Sequence, residues 1–375
     1  MYAALREHDP VHHAAGAPGG GHWVLTRHEH VMAAVRDHET FSSADGLTTV
    51  RGELEAIGLS ENPPMVMTDP PAHTAFRRLV SRGFTPRQVS SVEPVVAAFV
   101  AERLGRLREA GGGDIVAELF KPLPSMVVAH YLGVPREDWD RFDTWTEAIV
   151  AANAAGGTGG AAGAAADLAG YFTELIAHRR AHRGDDTVSH LVAAGEAESD
   201  AGLLRVLAFA FTMVAGGNDT TTGLLGAGLP LLAEHPDQHA DALADPGAAV
   251  EELLRLTSPV QGLARTTTRD VTVEGVTVPA GEKVLLCYAA ANRDPRVFGA
   301  DAEELDVTRQ PRQILSFAHG AHHCLGAAAA RMTARVALTG VLTTLPGLRV
   351  VPGSLTWAPG AYVRRPLTLQ VEVGR

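Results

Sequence analysis

The chain has 375 residues, of which 46% are hydrophobic and 20% are charged, a composition typical of a globular protein with a substantial core. Its formal net charge is −11, so a nucleic-acid partner is not expected, because proteins that bind nucleic acids usually carry a basic balance. Two cysteines, Cys287 and Cys324, are too few for a disulfide framework and are typical of a reducing compartment.

The N-terminal residues lack the basic start, apolar run and cleavage site of a signal peptide. The chain also lacks an uninterrupted apolar run of about 18 residues, which predicts that no helix spans a membrane. These two features together predict a cytoplasmic protein with no membrane attachment.

The apolar periodicity predicts a mainly α-helical fold with small β-sheets. In chain order, helices are predicted at about 1–8, 28–38, 72–80, 91–108, 115–132, 137–150, 171–183, 202–233, 236–256 and 327–345. Strands are predicted at about 22–26, 271–273, 276–278, 284–286, 348–351 and 367–373. Length alone favours two or three domains, but no linker forces a boundary, so we predict a single domain over residues 1–375.

A run of small residues and histidines, 316–326, surrounds Cys324 and precedes an alanine-rich helix. It has three interpretations, and the residues alone leave all of them open. The first is a solvated glycine-rich loop. The second is a zinc site using His319, His322 or His323 with Cys324, although the spacing is tight for a tetrahedral site. The third is a lone thiolate, with glycines that let the backbone lie close to a flat cofactor.

The long helical segment 202–233 contains the sequence Gly216-Gly217-Asn218-Asp219-Thr220-Thr221. One interpretation is a defect in a buried helix with a satisfied polar patch. The other is that the glycines interrupt the helix, so that a threonine hydroxyl binds water and the neighbouring carboxylate relays protons.

Two pairs of charged or basic residues have helical spacing. Glu252 and Arg255 are three residues apart, and His73 and Arg77 are four apart, so each pair shares a helix face. Taken alone, each pair is expected to be a solvated surface pair.

These motifs together resemble the cytochrome P450 family. The family's haem-binding loop, Phe-Gly-x-Gly-x-His-x-Cys-x-Gly, is matched by Phe317, Gly320, His322, Cys324 and Gly326, with Ala318 in place of a usual glycine. Residues 216–221 match its oxygen-activation motif, and its Glu-x-x-Arg and His-x-x-x-Arg motifs are also present, in the family's order.

The resemblance implies the cytochrome P450 fold, with the haem between the long central helix and the helix after the cysteine loop. The implied cofactor is haem b, iron protoporphyrin IX, with Cys324 as the axial iron ligand. The resemblance also implies that Phe317, Gly326 and Gly216 lie beside the haem, and that its propionates are bound by His73, Arg77, Arg265 and His322. It implies a triad, Glu252, Arg255 and Arg309, that holds the cysteine loop in place. It further implies that Thr220 acts in oxygen activation and that Asp219 supplies protons.

The resemblance also implies a haem-thiolate monooxygenase that uses dioxygen to hydroxylate or epoxidise a hydrophobic small molecule. No flavin, nicotinamide or iron–sulfur motif is visible, so we expect electrons from a separate ferredoxin and its NAD(P)H-dependent reductase. Residues 71–108 hold seven arginines against two glutamates, which suggests a docking site for an acidic partner. Its expected members are Arg78, Arg82, Arg103, Arg106 and Arg108.

The substrate pocket is expected to use mainly apolar or small residues. These lie in the irregular loop 45–68, the region 140–175, Phe211 to Gly216, Pro259 to Gly262, and Gly360 to Val363.

Three alternatives to a monooxygenase remain: a peroxide-driven peroxygenase or haem isomerase, a non-catalytic haem sensor, and a zinc-binding protein. The Asp219-Thr220 pair disfavours the first, and the absence of an appended output domain disfavours the second.

Overall fold

A computed structural model describes residues 1–17, 20–56, 58–155 and 162–374. Their contacts group into two units. The first unit comprises Met1–Arg78, Leu254–Leu305 and Pro311–Leu325, and the second comprises Leu79–Leu253, Asp306–Gln310 and Gly326–Arg375. A single domain over the whole chain stays a prediction.

Helices dominate the described residues, which confirms the predicted fold class. The α-helices are α1 Tyr2–His8, α2 His28–Arg36, α3 Glu53–Ala56, α4 Ala72–Val80, α5 Pro86–Ala110, α6 Pro122–Leu132, α7 Trp139–Ala155, α8 Ala162–Ala181, α9 Thr187–Ala193, α10 Asp200–Glu234, α11 His239–Ala244, α12 Pro246–Thr257, α13 Tyr288–Ala291, α14 Pro295–Phe298 and α15 Ala327–Thr344. The strands are β1 Val11–His13, β2 Trp23–Leu25, β3 Phe41–Ser42, β4 Gly112–Asp114, β5 Leu263–Thr267, β6 Val271–Val273, β7 Val276–Val278, β8 Lys283–Leu286, β9 Arg349–Val350, β10 Thr356–Trp357, β11 Pro366–Thr368 and β12 Gln370–Glu372.

The first unit contains a five-stranded sheet in the order β1-β2-β8-β5-β3. Strands β2 and β8 are parallel, and the other neighbours are antiparallel. Its core combines Leu25 and Leu286 of the sheet with Val31 and Val35, which lie four residues apart on one face of α2. The predicted hairpin is present as β6 and β7.

The second unit contains most of the long helices. Helix α5 begins with Thr85 in a capping box and a proline at its first position, and its buried face packs against α15. Helix α10 packs against α6, α7, α8 and α15. Two small sheets, β4-β12-β9 and β10-β11, complete the unit.

Several predicted boundaries were wrong. Helix α5 begins at Pro86 rather than near 91, and the predicted helix 115–132 starts as a π-helix over Val116–Phe120 before α6. The predicted helix 236–256 is divided, since a 3₁₀ turn and α11 precede α12, which begins at Pro246. Strands β1, β3, β4, β5 and β10 were not predicted as such, because runs of two to five residues carry little periodicity.

Helix α10 is continuous from Asp200 to Glu234, so the predicted interruption at Gly216 and Gly217 is wrong. A Cβ atom on Gly217 would lie 2.6 Å from Cγ2 of Val128. The helix therefore tolerates this glycine because α6 packs closely against it, not because the helix opens there.

Helix α10 is also long and apolar enough, by length and composition, to cross a membrane. This criterion tolerates charged residues and so differs from an uninterrupted apolar run, and the absence of a spanning helix stays a prediction. A single helix of this kind is only weak evidence of a membrane span, because helices in a protein core have the same length and composition.

Candidate functional site

The cysteine loop lies in the first unit and leads to α15. The amide of Cys324 donates a hydrogen bond of 2.9 Å to the carbonyl of Phe317, which closes the loop. The Cys324 side chain is exposed, whereas the other cysteine, Cys287, is buried. Gly320 has a φ of +70°, and a Cβ atom there would lie 2.7 Å from the carbonyl oxygen of Val35. Glycine is therefore required at that position by both backbone conformation and space.

Ala318 stands where the P450 loop motif usually has glycine, and its φ is +50°. This left-handed conformation costs an L-residue with a Cβ roughly 1–2 kcal/mol. Glycine removes this cost but loses more backbone entropy on folding, which offsets part of the gain. We therefore expect Ala318→Gly to raise the free energy of unfolding of the haem-bound protein by up to about 1 kcal/mol. Urea unfolding followed by the haem absorbance would measure this change.

The matched control is Ala321→Gly, three residues along the same loop. Ala321 lies in a 3₁₀ turn, so glycine there should destabilise the protein by about 0.5–1 kcal/mol. If both variants lowered the unfolding free energy equally, the conformation of Ala318 would not be strained.

A pair of neighbouring histidines, the buried His73 and the half-buried His322, lies in the same unit as Cys324. His73 is 1% exposed, neither of its ring nitrogens has a hydrogen-bond partner, and its ring centroid is 4.3 Å from that of His322. His322 Nε2 lies 3.2 Å from Ser43 Oγ and 3.9 Å from a carboxylate oxygen of Asp69. Burial lowers the pKa of His73 to about 4, with His322 and Arg77 adding to the effect.

Two arginines complete this group of residues. On α4, Arg77 donates a hydrogen bond of 2.5 Å to the carbonyl of His323. Burial lowers the pKa of Arg77, and Cys324 partly offsets that effect. Arg265 is buried on β5, and it adds to the lowering of the His322 pKa that burial causes, while Asp69 opposes it. The four predicted propionate-binding residues thus lie in one unit, and the ring nitrogens of one of them, His73, have no hydrogen-bond partner.

This arrangement fits haem carboxylates. A buried ring nitrogen without a partner is costly and rare, and an anionic oxygen would satisfy it. The cationic groups of Arg77 and Arg265 suit the same ligand. Of the other residues expected beside the haem, Gly326 precedes α15 and accepts a hydrogen bond from Ala330. A Cβ atom on Gly216 would meet no atom within 4 Å outside the neighbouring backbone of its own helix.

The predicted proton-handling residues lie on α10 in the second unit. Asp219 forms an ion pair with Arg365, with 2.9 Å between Oδ1 and Nε. Burial raises the pKa of Asp219 to about 6, although Arg365 opposes the shift. The hydroxyl of Thr220 donates a hydrogen bond of 3.0 Å to the carbonyl of Gly216, four residues earlier.

Sequence reasoning missed Arg365 as a partner of Asp219. The two residues are 146 positions apart in the chain, and Arg365 follows another arginine in a short C-terminal segment. Nothing in the spacing distinguishes it from Arg364, whose guanidinium instead lies 4.2 Å from the ring centroid of Trp357.

Two members of the predicted structural triad, Glu252 and Arg255, are buried and not solvated, and the third, Arg309, is half-buried. In the second unit, Glu252 is 0% exposed and accepts hydrogen bonds of 3.1 Å from Arg309 Nε and from the amide of Asp306. In the first unit, buried Arg255 donates to the carbonyls of Asn292 and Ala302. The surface-pair interpretation was therefore wrong for both Glu252 and Arg255.

The zinc interpretation finds no ligand set in the part of the chain that the structure describes, where no three His, Cys, Asp or Glu side chains are grouped to hold a metal ion. The Nε2 atom of His319 lies instead 3.1 Å from the carbonyl oxygen of Ile314.

The predicted loop 45–68 is ordered by Glu53, whose carboxylate accepts hydrogen bonds from the amides of Leu47 and Thr48 at 2.9 and 2.8 Å. Of the predicted pocket region 140–175, residues 156–161 lie outside the described residues.

Comparison with known proteins identifies the family. The model of the family Cytochrome P450 matches residues 247–346. Cytochrome P450 130 of Mycobacterium tuberculosis is 63% identical over 381 residues, covering 100% of this chain and 94% of that protein. Vitamin D(3) 25-hydroxylase of Pseudonocardia autotrophica is 36% identical, with 100% and 93% covered. The solved structure of cytochrome P450 CYP109Q5 from Chondromyces apiculatus has a TM-score of 0.87 and 32% identity, with 99% and 94% covered. The chain therefore belongs to the cytochrome P450 family of monooxygenases, which bind haem b.

Proposed function

We propose that this monooxygenase hydroxylates, or epoxidises, an apolar small molecule with electrons from a separate redox protein. Hydroxylation inserts one atom of dioxygen into a C–H bond, and the other atom leaves as water, with two electrons and two protons consumed. The observation that carries the proposal is the carboxyl of Asp219, which lies next to Thr220 and has a pKa of about 6. Such a group gives and regains protons near neutral pH.

The cysteine loop and its neighbours are proposed to hold the cofactor. When bound, the haem supplies the iron that binds and activates dioxygen. Cys324 would ligate that iron through its thiolate. His73, Arg77, Arg265 and His322 would bind the propionates, because charge-assisted hydrogen bonds to carboxylates are the strong kind.

On α10, Asp219 and Thr220 are proposed to move protons toward the oxygen that is reduced. With a pKa of about 6, roughly one Asp219 in ten is protonated at pH 7. The hydroxyl of Thr220 is oriented by the carbonyl of Gly216, and its oxygen keeps lone pairs for a proton donor. A peroxygenase would take both protons from its oxidant and would have no use for this pair.

Replacement of Thr220 tests this function. We expect Thr220→Ala to divert electrons from NADPH into hydrogen peroxide, lowering by several-fold the fraction recovered in product. Vitamin D3 is the probe substrate, because the vitamin D(3) 25-hydroxylase is 36% identical to this chain. Product, peroxide and NADPH are measured in one reaction.

The matched control is Thr343→Ala on α15, outside the regions expected to line the pocket. Its hydroxyl donates to the carbonyl of Thr339 at 2.7 Å, four residues earlier, as that of Thr220 does to Gly216. If Thr343→Ala diverted electrons equally, loss of a helix hydrogen bond would explain both results. If the Thr220 variant kept the coupling of the parent, the proposed proton role would fail.

The redox partner is proposed to be an acidic ferredoxin that docks on the arginine-rich segment 71–108. The structure modifies the predicted set, because Arg103 and Arg106 form ion pairs with Glu118. Arg82 and Arg108 are exposed, and no ion pair to either is found among the described residues. Arg78 is also exposed but belongs to the first unit. We therefore assign the docking role chiefly to Arg82 and Arg108, which belong to the same unit.

The double variant Arg82→Ala/Arg108→Ala should raise by several-fold the KM for an acidic ferredoxin at low ionic strength. The difference from the parent should fade as salt screens exposed charges. Arg183→Ala, which removes an exposed arginine outside this segment, should leave that KM unchanged. Equal effects of salt on parent and double variant would contradict the assignment.

The substrate class and the cellular location complete the proposal. The named substrate of the vitamin D(3) 25-hydroxylase is a large apolar molecule, which supports an apolar substrate here. The pair of cysteines without a framework supports a cytoplasmic protein. We also propose that residues 1–375 act as one catalytic domain.

A further inference from the structure

Four pairs of histidines in the chain are four residues apart. They are His8 and His12, His178 and His182, His235 and His239, and His319 and His323. Within an α-helix this spacing places both rings on one face, where two such rings can bind one metal ion. The first pair joins α1 to β1 and the last pair belongs to the cysteine loop, so neither lies on one helical turn.

The pair His178 and His182 lies on one helical turn, at the C-terminal end of α8. His182 follows the last residue of the helix, and its amide donates a hydrogen bond of 2.8 Å to the carbonyl of His178. The ring centroids are 4.6 Å apart, and the ring planes differ by 18°. Both side chains are exposed, and in the part of the chain that the structure describes neither ring has a hydrogen-bond partner. Two available imidazoles therefore lie side by side.

The backbone that carries this pair is anchored on both sides. Arg179 forms an ion pair with Asp186, with 2.9 Å between Nε and Oδ2, and its Nη2 donates to the carbonyl of Gly133 at 2.9 Å. Asp186 in turn caps α9, because its carboxylate accepts a hydrogen bond of 2.8 Å from the amide of Ser189. The last turn of α8 is thus fixed to two neighbouring elements, which holds the two histidine backbones at the spacing that a chelate needs.

A small movement of the side chains would let both rings bind one ion. Imidazole nitrogens bind Zn²⁺ at about 2.0–2.1 Å, which places two of them roughly 3.3 Å apart around a tetrahedral ion. The ion must lie in the plane of each ring, whereas the rings of His178 and His182 are stacked. At least one ring therefore has to turn about its Cβ–Cγ bond. That torsion is soft in histidine, and the exposure of both side chains leaves space for the turn.

The charges around the pair do not exclude a cation. Arg180, like Arg179, is engaged elsewhere, since it donates a hydrogen bond to the carbonyl of Ala197. Exposed Arg183 opposes cation binding, whereas exposed Glu174, four residues before His178 on the same face of α8, favours it. Water and salt screen charges that are this exposed, so the imidazole nitrogens decide the affinity.

We propose that His178 and His182 form a bidentate site for a divalent ion late in the first transition row, Cu²⁺ or Zn²⁺. Imidazole suits both ions, and affinity in the general order is highest for Cu²⁺. Two protein ligands leave the remaining positions on the ion to water. The bound ion links the last turn of α8 to the residue that follows it, and so stabilises that end of the helix. The site uses none of the residues assigned to the haem or to proton transfer.

Equilibrium dialysis of the haem-loaded protein against CuCl₂, ZnCl₂ and MgCl₂ tests the site. We expect one Cu²⁺ per chain in the tightest class, weaker binding of Zn²⁺, and no binding of Mg²⁺, which prefers oxygen ligands. His178→Ala and His182→Ala should each weaken Cu²⁺ binding by roughly tenfold or more, because one imidazole cannot chelate. An unchanged Cu²⁺ affinity in both variants would overturn the proposal.

The matched control is His239→Ala, which breaks a pair of the same spacing. The ring nitrogens of His235 and His239 lie 2.8 Å from the carbonyl oxygens of Leu231 and Leu232, so they are already bonded to backbone. The control should keep the Cu²⁺ affinity of the parent. A loss equal to that of His178→Ala would show unspecific binding by the histidines of the chain, and would also overturn the proposal.

Hydrogen exchange of the His182 amide locates the bound ion. This amide is bonded to the carbonyl of residue 178, and that bond remains possible in His178→Ala. Zn²⁺ should slow the exchange several-fold in the parent, because a chelated ion opposes fraying of the last turn. The exchange in His178→Ala should not respond to Zn²⁺. No slowing in the parent, or equal slowing in the variant, would place the ion elsewhere and contradict the site.

Discussion

Replacement of Cys324 by alanine is expected to eliminate the long-wavelength absorbance band that a reduced haem-thiolate protein shows with carbon monoxide. NADPH-driven oxidation should fall to background at the same time. The physical reason is that the thiolate tunes the iron, and alanine offers no ligand atom. The measurement is a difference spectrum of the purified, reduced protein with and without carbon monoxide.

Cys287→Ala is the matched control, since it removes the other cysteine of the chain. Cys287 is buried in the first unit, where its amide donates to the carbonyl of Leu25, and burial raises its pKa. A buried thiol of this kind behaves as a small apolar group. The control should therefore retain the carbon monoxide band. Retention of the band in Cys324→Ala, or its loss in Cys287→Ala alone, would contradict the assignment of Cys324.

Glu252→Ala is expected to lower the free energy of unfolding by about 3–5 kcal/mol and to reduce sharply the haem bound per chain. The carboxylate of Glu252 is fully buried and accepts hydrogen bonds from Arg309 and the amide of Asp306. Its removal leaves both donors without this acceptor. Because proteins of this kind are stable by only about 5–15 kcal/mol, the loss is a large fraction of the total.

Glu251→Ala provides a matched control at the adjacent position. The Glu251 side chain is 24% exposed and pairs with Arg331, with 3.1 Å between Oε2 and Nη2. Such a partly exposed pair contributes no more than about 1 kcal/mol, so haem content should stay near that of the parent. Haem absorbance per chain and urea unfolding measure both variants. Equal losses at the two positions would show that the burial of Glu252 has no special importance.

Local patterns in the sequence predicted most of the long helices and the residues expected to bind the cofactor. The reason is that helix periodicity and short motifs depend on residues close together in the chain. Phe317, Cys324 and Gly326 could be recognised from one run of eleven residues, and Asp219 and Thr220 from one run of six. Short strands such as β1 and β3 were missed, because pairing with distant strands stabilises them and not their own composition.

The cysteine loop shows where the sequence alone was insufficient. Its histidines could equally have been metal ligands or solvated side chains. The structure brings His322 from this loop next to His73, which lies 249 positions earlier, and leaves the nitrogens of His73 without partners. It also gives Ala318 a positive φ, at the position where the family motif usually has glycine. Long-range packing sets both features.

The sequence by itself determined the fold class, the family resemblance and the positions of Cys324, Asp219 and Thr220, because these depend on local spacing. Only the tertiary structure decided that α10 is continuous, that Glu252 is buried, and that Asp219 pairs with Arg365. Burial and ion pairing depend on residues far apart in the chain. Those same two effects set the pKa of Asp219, so its chemistry became visible only once the chain was folded.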